Sequence, residues 1–243
     1  MIQLERARDI TALFRDALGV LFRHALVFIA LSAAVVVPVH LVVLGVGLEQ
    51  FTAAYDESPS AAEAAVPTVV GFLVIAPLIT AICIHALRAV AHGGRPRAGH
   101  SFVAGFEAFT PLFFAVLLAA AGIALGLLAL IVPGIYLAVR WFFVPQAVVL
   151  ERARGLGALN RSSEAVQGFW WRTFGLVIVV NLAAVLPGLI IAAPFTALAS
   201  STDRAVWSMI GEICAASVTT PFVALFSTLL YYDLRARRAG API

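Results

Sequence analysis

The chain contains no lysine, and its sixteen basic residues are all arginine. Aspartate and glutamate together number thirteen, so charged residues make up 12% of the 243, about half the share in an ordinary soluble domain. Hydrophobic residues make up 62%. A chain so poor in charge and so rich in apolar side chains cannot cover a soluble surface, which excludes a soluble domain. The net charge is only +3, and no basic patch interleaved with aromatics occurs, so nothing points to nucleic acid. Cysteine is scarce. Cys83 and Cys214 both fall inside apolar runs at different expected membrane depths, which argues for two buried small hydrophobes and against a disulfide framework. His-Glu-x-x-His, a glycine loop ending in Gly-Lys-Ser/Thr, and Cys-x-x-Cys are all missing. The expectation is therefore no catalytic residue, no cofactor and no metal.

What the chain does have is long apolar runs. A membrane span needs about twenty such residues. Ala25–Leu48 and Val66–Leu87 carry no formal charge, and Ala108–Leu150 is interrupted only by Arg140. As one helix that last run would be about 63 Å long, twice a bilayer core, so it has to turn once. Val132-Pro133-Gly134 offers the turn and gives spans Pro111–Val132 and Ile135–Leu150. Thr173–Thr202 and Ala205–Tyr232 complete the set, the last carrying only Glu212. The fold expected is all-α: a polytopic membrane bundle of six transmembrane helices with interfacial amphipathic helices. Residues 1–24 form the first of these, 25–234 the membrane domain and 235–243 a basic tail.

The arginines orient the bundle. Fourteen of the sixteen lie in alternate segments: the N-terminal stretch, the Arg88–Arg97 loop, Arg152–Arg172 and the C-terminal tail. The intervening Leu48–Val66 loop carries Glu49, Asp56, Glu57 and Glu63 and no base. By the positive-inside rule both termini face the cytoplasm, in a bacterial inner membrane. No cleaved signal peptide is expected, because the first 24 residues contain Glu5, Asp9 and Asp16 and the apolar run behind them is span-length. Ile10, Leu13, Phe14, Ala17, Leu18 and Leu21 follow helical spacing opposite the charges, which reads as an anchor lying in the headgroup plane or as a helix that binds a partner.

The entries of the first and fifth spans match. Gly19 to Arg23 parallels Gly168 to Arg172, and Pro38 and Pro187 each follow fifteen residues after the arginine. A looser third copy starts at Phe102. Three copies of a short helix plus two spans, all entering from one side, would be parallel repeats about an axis along the membrane normal.

Other stretches carry a resemblance. Val132-Pro133-Gly134-Ile135-Tyr136, Glu151, Ala158-Leu159-Asn160-Arg161-Ser162, Gly168 before Trp171-Arg172, and the closing Leu230-Tyr231-Tyr232-Asp233-Leu234-Arg235 resemble the membrane domain attached to some glycerophosphoryl diester phosphodiesterases, which also occurs as a stand-alone bacterial membrane protein. Ser163 departs from that pattern, which usually has an aromatic there. The phosphodiesterase activity belongs to a separate soluble barrel with a metal site, and the chain has no such domain. The resemblance thus implies fold and location without the enzyme.

Two groups of polar residues stand out. A charge at mid-bilayer costs about 2.5–3.5 kcal/mol on insertion scales, and His40, Arg140 and Glu212 all fall inside expected spans. Counted from the non-cytoplasmic ends, all three lie about 8–12 Å deep. One arrangement is an Arg140–Glu212 bridge near His40. The other has Arg140 snorkelling to water and Glu212 protonated or bonded to a serine. The second group is the loop holding Arg88, His92, Arg95, Arg97 and His100, where glycine-rich backbone beside guanidinium groups could hold an anionic lipid headgroup. Positive-inside bias and a flexible turn are the plainer account of it. The functional expectation is a non-catalytic membrane protein that binds lipid or assists an envelope process, with the bilayer and anionic headgroups as its partners and no protein partner indicated. A transporter for a small or amphiphilic solute is the alternative.

Overall fold

A computed structural model describes residues 7–43, 61–94 and 96–240. The expected acidic loop falls largely outside these residues, as does Arg95. The helices are α1 (Ile10–Arg23), α2 (Ala25–Val43), α3 (Ala61–Val70), α4 (Ala76–Ala91), α5 (Ala98–Glu107), α6 (Phe109–Ala129), α7 (Ile131–Arg140), α8 (Val144–Glu151), α9 (Leu156–Val166), α10 (Trp170–Thr202) and α11 (Ala205–Arg238). No strand occurs among the described residues. Six stretches are long and apolar enough to cross a membrane: Ala25–Val42, Thr68–Ala91, Phe109–Ala129, Ile131–Glu151, Trp170–Thr202 and Ala205–Arg238. The fold is an all-α bundle, and its apolar helices are those of a multi-pass membrane protein.

Proline placement explains the irregular spans. Pro77 has no N–H to donate, so the turn before it widens into a π segment, Gly71–Ile75, between α3 and α4. Pro145 stops the fourth span from running through. The chain breaks over Trp141–Phe143 and resumes with Pro145 in the first turn of α8, where a missing N–H costs nothing. Pro187 and Pro194 lie inside the continuous α10 and Pro221 inside α11, so Pro187-Gly188 does not end the fifth span.

The hairpin turn between the third and fourth spans sits earlier than Val132-Pro133-Gly134. Leu130 is the extended residue (φ −163°, ψ 146°), and Pro133 and Gly134 already belong to the first turn of α7. Gly134 is there because α6 and α7 touch at that point. A Cβ on Gly134 would lie 2.4 Å from the Leu127 side chain and 2.7 Å from its backbone nitrogen, and one on Gly126 would lie 3.0 Å from Gly134 Cα.

The order of one short helix followed by two spans occurs three times, beginning at α1, α5 and α9. Each short helix packs on the last helix of another unit: α5 on α4, α9 on α8, and α1 on α11. The first two contacts join sequence neighbours. The third joins the two ends of the chain and closes the ring, as expected of parallel repeats around one axis. Its apolar face goes into protein and not only against lipid. Leu13 and Ala17 are fully buried, and the Phe14 ring meets that of Phe226 at 4.7 Å, tilted by 51°. Ile10, expected on the same face, is 49% exposed, and the buried Val20 takes part instead. The C-terminal half of α11 is the hub of the bundle, buried continuously from Ala224 to Leu234.

Gly134→Ala is expected to destabilise the α6–α7 hairpin by about 1–3 kcal/mol, the usual cost of overpacking. Thermal unfolding in detergent, compared with Gly175→Ala, where a Cβ meets nothing within 4 Å, measures this.

Candidate functional site: two ion clusters and a lateral cavity

The structure separates the expected intramembrane cluster. His40 and Glu212 lie on α2 and α11, which pack along each other. Arg140 is elsewhere. Ser162 Oγ donates to the Arg140 carbonyl at 2.9 Å, and Phe143, three residues on, has its ring 5.5 Å from that of Tyr231. Tyr231 is nineteen residues beyond Glu212 on one helix, about 28 Å at 1.5 Å per residue. An Arg140–Glu212 bridge is therefore not formed. The depth count failed because it ran Arg140 down one straight fourth span, whereas the chain bends at Trp141–Phe143. Arg140 Nη1 donates instead to the Tyr136 hydroxyl at 3.0 Å, one turn back, and Nδ1 of His40 lies 3.0 Å from the Val36 carbonyl.

The loop group is exposed at Arg88, His92, Arg97 and His100. Its glycines serve the helix end. His92 N–H donates to Arg88 O, Gly93 N–H to Val90 O and Gly94 N–H to Ala89 O, with Gly93 at φ +76°. That is a left-handed C-cap of α4. The N–H groups of His92, Gly93 and Gly94 are thus occupied within the helix end.

Two ion clusters at the arginine-rich end were not anticipated. In the first, Asp233 is fully buried. It accepts from the Arg8 backbone N–H at 2.5 Å, from Arg172 Nη2 at 3.2 Å and from Arg237 Nε at 3.0 Å. Arg172 and Arg237 also both donate to the Arg8 carbonyl, at 2.9 and 2.8 Å, while Arg8 Nε reaches Asp16 at 3.1 Å. In the second, Tyr231 donates to Glu151 at 2.5 Å, and Arg161 and Arg235 each approach that carboxylate at 3.5 Å. Arg238 donates to the Glu164 carbonyl beside it. The basic tail expected from residue 235 is thus helical through Arg238, and two of its arginines belong to these clusters. The available signal was Asp233 with Arg237 one turn on, in a helix whose only other acid is Glu212.

Ser162 repairs the break in the fourth span. Besides donating to Arg140 O, it accepts from the Phe143 N–H at 3.1 Å, so one hydroxyl replaces the helical bonds lost ahead of Pro145. The break leaves space beside it. A cavity of about 370 Å³ lies between α4, α6, α7–α8, α10 and α11, with apolar walls that include Ala119, Ile123 and Val139. Its polar lining is Thr80, Gln146 and Ser227. Gln146 Nε2 donates to Ser227 Oγ at 2.9 Å, and Ser227 Oγ donates in turn to Ala224 O. With the amide so placed, the acceptor Gln146 Oε1, on a side chain 2% exposed, has no partner among the described residues.

The family model that matches residues 98–234 is described as a domain of unknown function, DUF7847. The chain belongs to the DUF7847 family. No curated protein and no solved structure matches it. The DUF7847 stretch runs from α5 to the residue after Asp233. It therefore contains Glu151, Ser162, Arg172, Tyr231 and Asp233, as well as the Gln146 wall of the cavity, while Arg8 lies outside it.

Asp233→Ala is expected to cost up to about 3–5 kcal/mol, because it strips two part-buried guanidinium groups and the Arg8 N–H of the buried carboxylate they share. Arg161→Ala, at a side chain 58% exposed, is expected to cost under about 1 kcal/mol. Denaturant unfolding of the two variants in the same detergent tests the contrast.

Proposed function

We propose that this DUF7847 protein is a non-catalytic lipid-binding protein of the bacterial cytoplasmic membrane, with both termini on the cytoplasmic side. The cavity carries the reading: its walls are apolar, its volume is within the roughly 300–1,000 Å³ of ligand sites, and it lies among the spans, where lipid is the abundant ligand. The resemblance to the membrane domain of glycerophosphoryl diester phosphodiesterases supports the same location, and kinship with that domain is part of the proposal. The arginine distribution supports the orientation. A transporter is the alternative; it would draw on proline-kinked helices and on a polar cluster of His40, Arg140 and Glu212, and Arg140 bonds to Tyr136 and not to Glu212.

Native mass spectrometry of protein extracted gently from its own membrane is expected to show one or more retained lipids. Ala119→Trp, which fills the cavity from α6, is expected to release them. A wild-type protein free of lipid under conditions that keep it folded overturns the reading. Reporter fusions at each terminus are expected to be active only in the cytoplasmic form.

A further inference from the structure

We infer that the cavity and its mouth form a site for an anionic, single-chain amphiphile that carries a hydroxyl beside its headgroup. This rests on the lipid-binding reading and adds where each part of the ligand goes. A second, shallower hollow of about 410 Å³ adjoins the cavity across Ile135 and is lined by Val132, Tyr136, Trp170 and Trp171. The shared Ile135 wall places the shallower hollow beside the deeper one, between α7 and the start of α10. Tyr136 stacks on Trp170 at 5.9 Å, and Trp171 is 78% exposed. Exposed tryptophan and tyrosine collect at the headgroup level of a membrane, which sets the mouth at that level.

Charge decides the headgroup. Arg140 stands beside this mouth on the Tyr136 face of α7, bonded to the Tyr136 hydroxyl and stacked 5.7 Å from its ring. Among the described residues it has no carboxylate partner, whereas Arg172 and Arg237 pair with Asp233 and Arg161 and Arg235 with Glu151. A guanidinium with free donors at headgroup level selects a phosphate. The wall decides the rest. Gln146 lines the cavity with Oε1 a buried, unpartnered acceptor among mostly apolar walls, and leaving it unmet costs about 1–3 kcal/mol. A ligand that supplies an O–H there satisfies it, and its acyl chain fills the apolar remainder. A lysophospholipid with a free glycerol hydroxyl has all three parts.

The test uses delipidated full-length protein in detergent and three probes read by native mass spectrometry: lysophosphatidic acid, its 2-deoxy analogue and lysophosphatidylcholine. Wild type is expected to hold lysophosphatidic acid about tenfold more tightly than lysophosphatidylcholine, equal to 1.4 kcal/mol, and severalfold more tightly than the deoxy analogue. Arg140→Gln is expected to abolish the first preference and Arg140→Lys to keep it. Gln146→Leu is expected to abolish the second. Ala119→Trp removes all three, and Ile123→Trp replaces it should that variant not fold. Equal binding of the three probes by wild type, or a preference lost on Arg97→Ala and kept in Arg140→Gln, overturns the inference while lipid retained from the native membrane leaves the broader reading standing. Failure to hold any lipid from either source overturns both.

Discussion

Asp233 holds the two ends of the chain together, and the shape of the bundle depends on that junction. The short helices α5 and α9 follow the helices they pack on after a few residues of chain, so covalent continuity keeps them in place. The α1–α11 contact has no such help. It joins residues more than two hundred positions apart, and closing so long a loop carries an entropic cost that only specific contacts can offset. The apolar part of the contact is the Phe14 face of α1 on Phe222 and Phe226. The specific part is a buried carboxylate that accepts from one backbone amide and two guanidinium groups. Because both guanidinium groups also bond the Arg8 carbonyl, the N-terminal segment is fixed in register as well as attached. A wholly apolar junction of the same size would let α1 slide along its own axis.

The second constraint is the interrupted fourth span. Pro145 forbids a continuous helix, and inside a membrane the freed backbone groups must find partners within the protein. Ser162 provides them from α9, so the amphipathic helix of the third unit completes a span of the second. Bending the chain at Trp141–Phe143 also carries α8 across to α11, where Gln146 meets Ser227 and Glu151 meets Tyr231. The cavity is the volume left where the fourth span turns aside. The π segment ahead of Pro77 borders the same space through Phe72 and Ala76, so two proline-induced irregularities shape one hollow.

Helical class, span count and the threefold order of units were legible because they depend on composition and on runs of about twenty residues. Side-chain partnerships inside the spans were not. Depth counted along a straight helix put Arg140 beside Glu212, whereas Phe143, three residues after Arg140, stands against Tyr231, about 28 Å from Glu212 along α11. The motif residues Glu151, Arg161, Arg172 and Asp233 were visible as a pattern, yet their spacing gave no hint that they form two separate clusters. Pairing across sixty or eighty positions is set by how α8, α10 and α11 converge, which no local period encodes. The loop glycines misled in the opposite way: Gly93 and Gly94 looked like an anion cradle and proved to be the end of a helix.

The distribution of polar groups follows from these two constraints. Asp233 and Glu151 gather the arginines that a membrane bundle must keep at one end, and they do so on the axis of α11. Arg140 stays out of both clusters because the bend directs its backbone toward Ser162 while its side chain lies back along α7 toward Tyr136. The same bend turns Gln146 inward with one acceptor unmet. A stability-optimised bundle would place a leucine at 146 and a neutral residue at 140, since an unpaired buried acceptor and a lone cation near apolar walls both cost free energy. That Gln146 lines this hollow, and that Arg140 bonds the Tyr136 of its neighbour, is the reason to read it as a site instead of a packing defect.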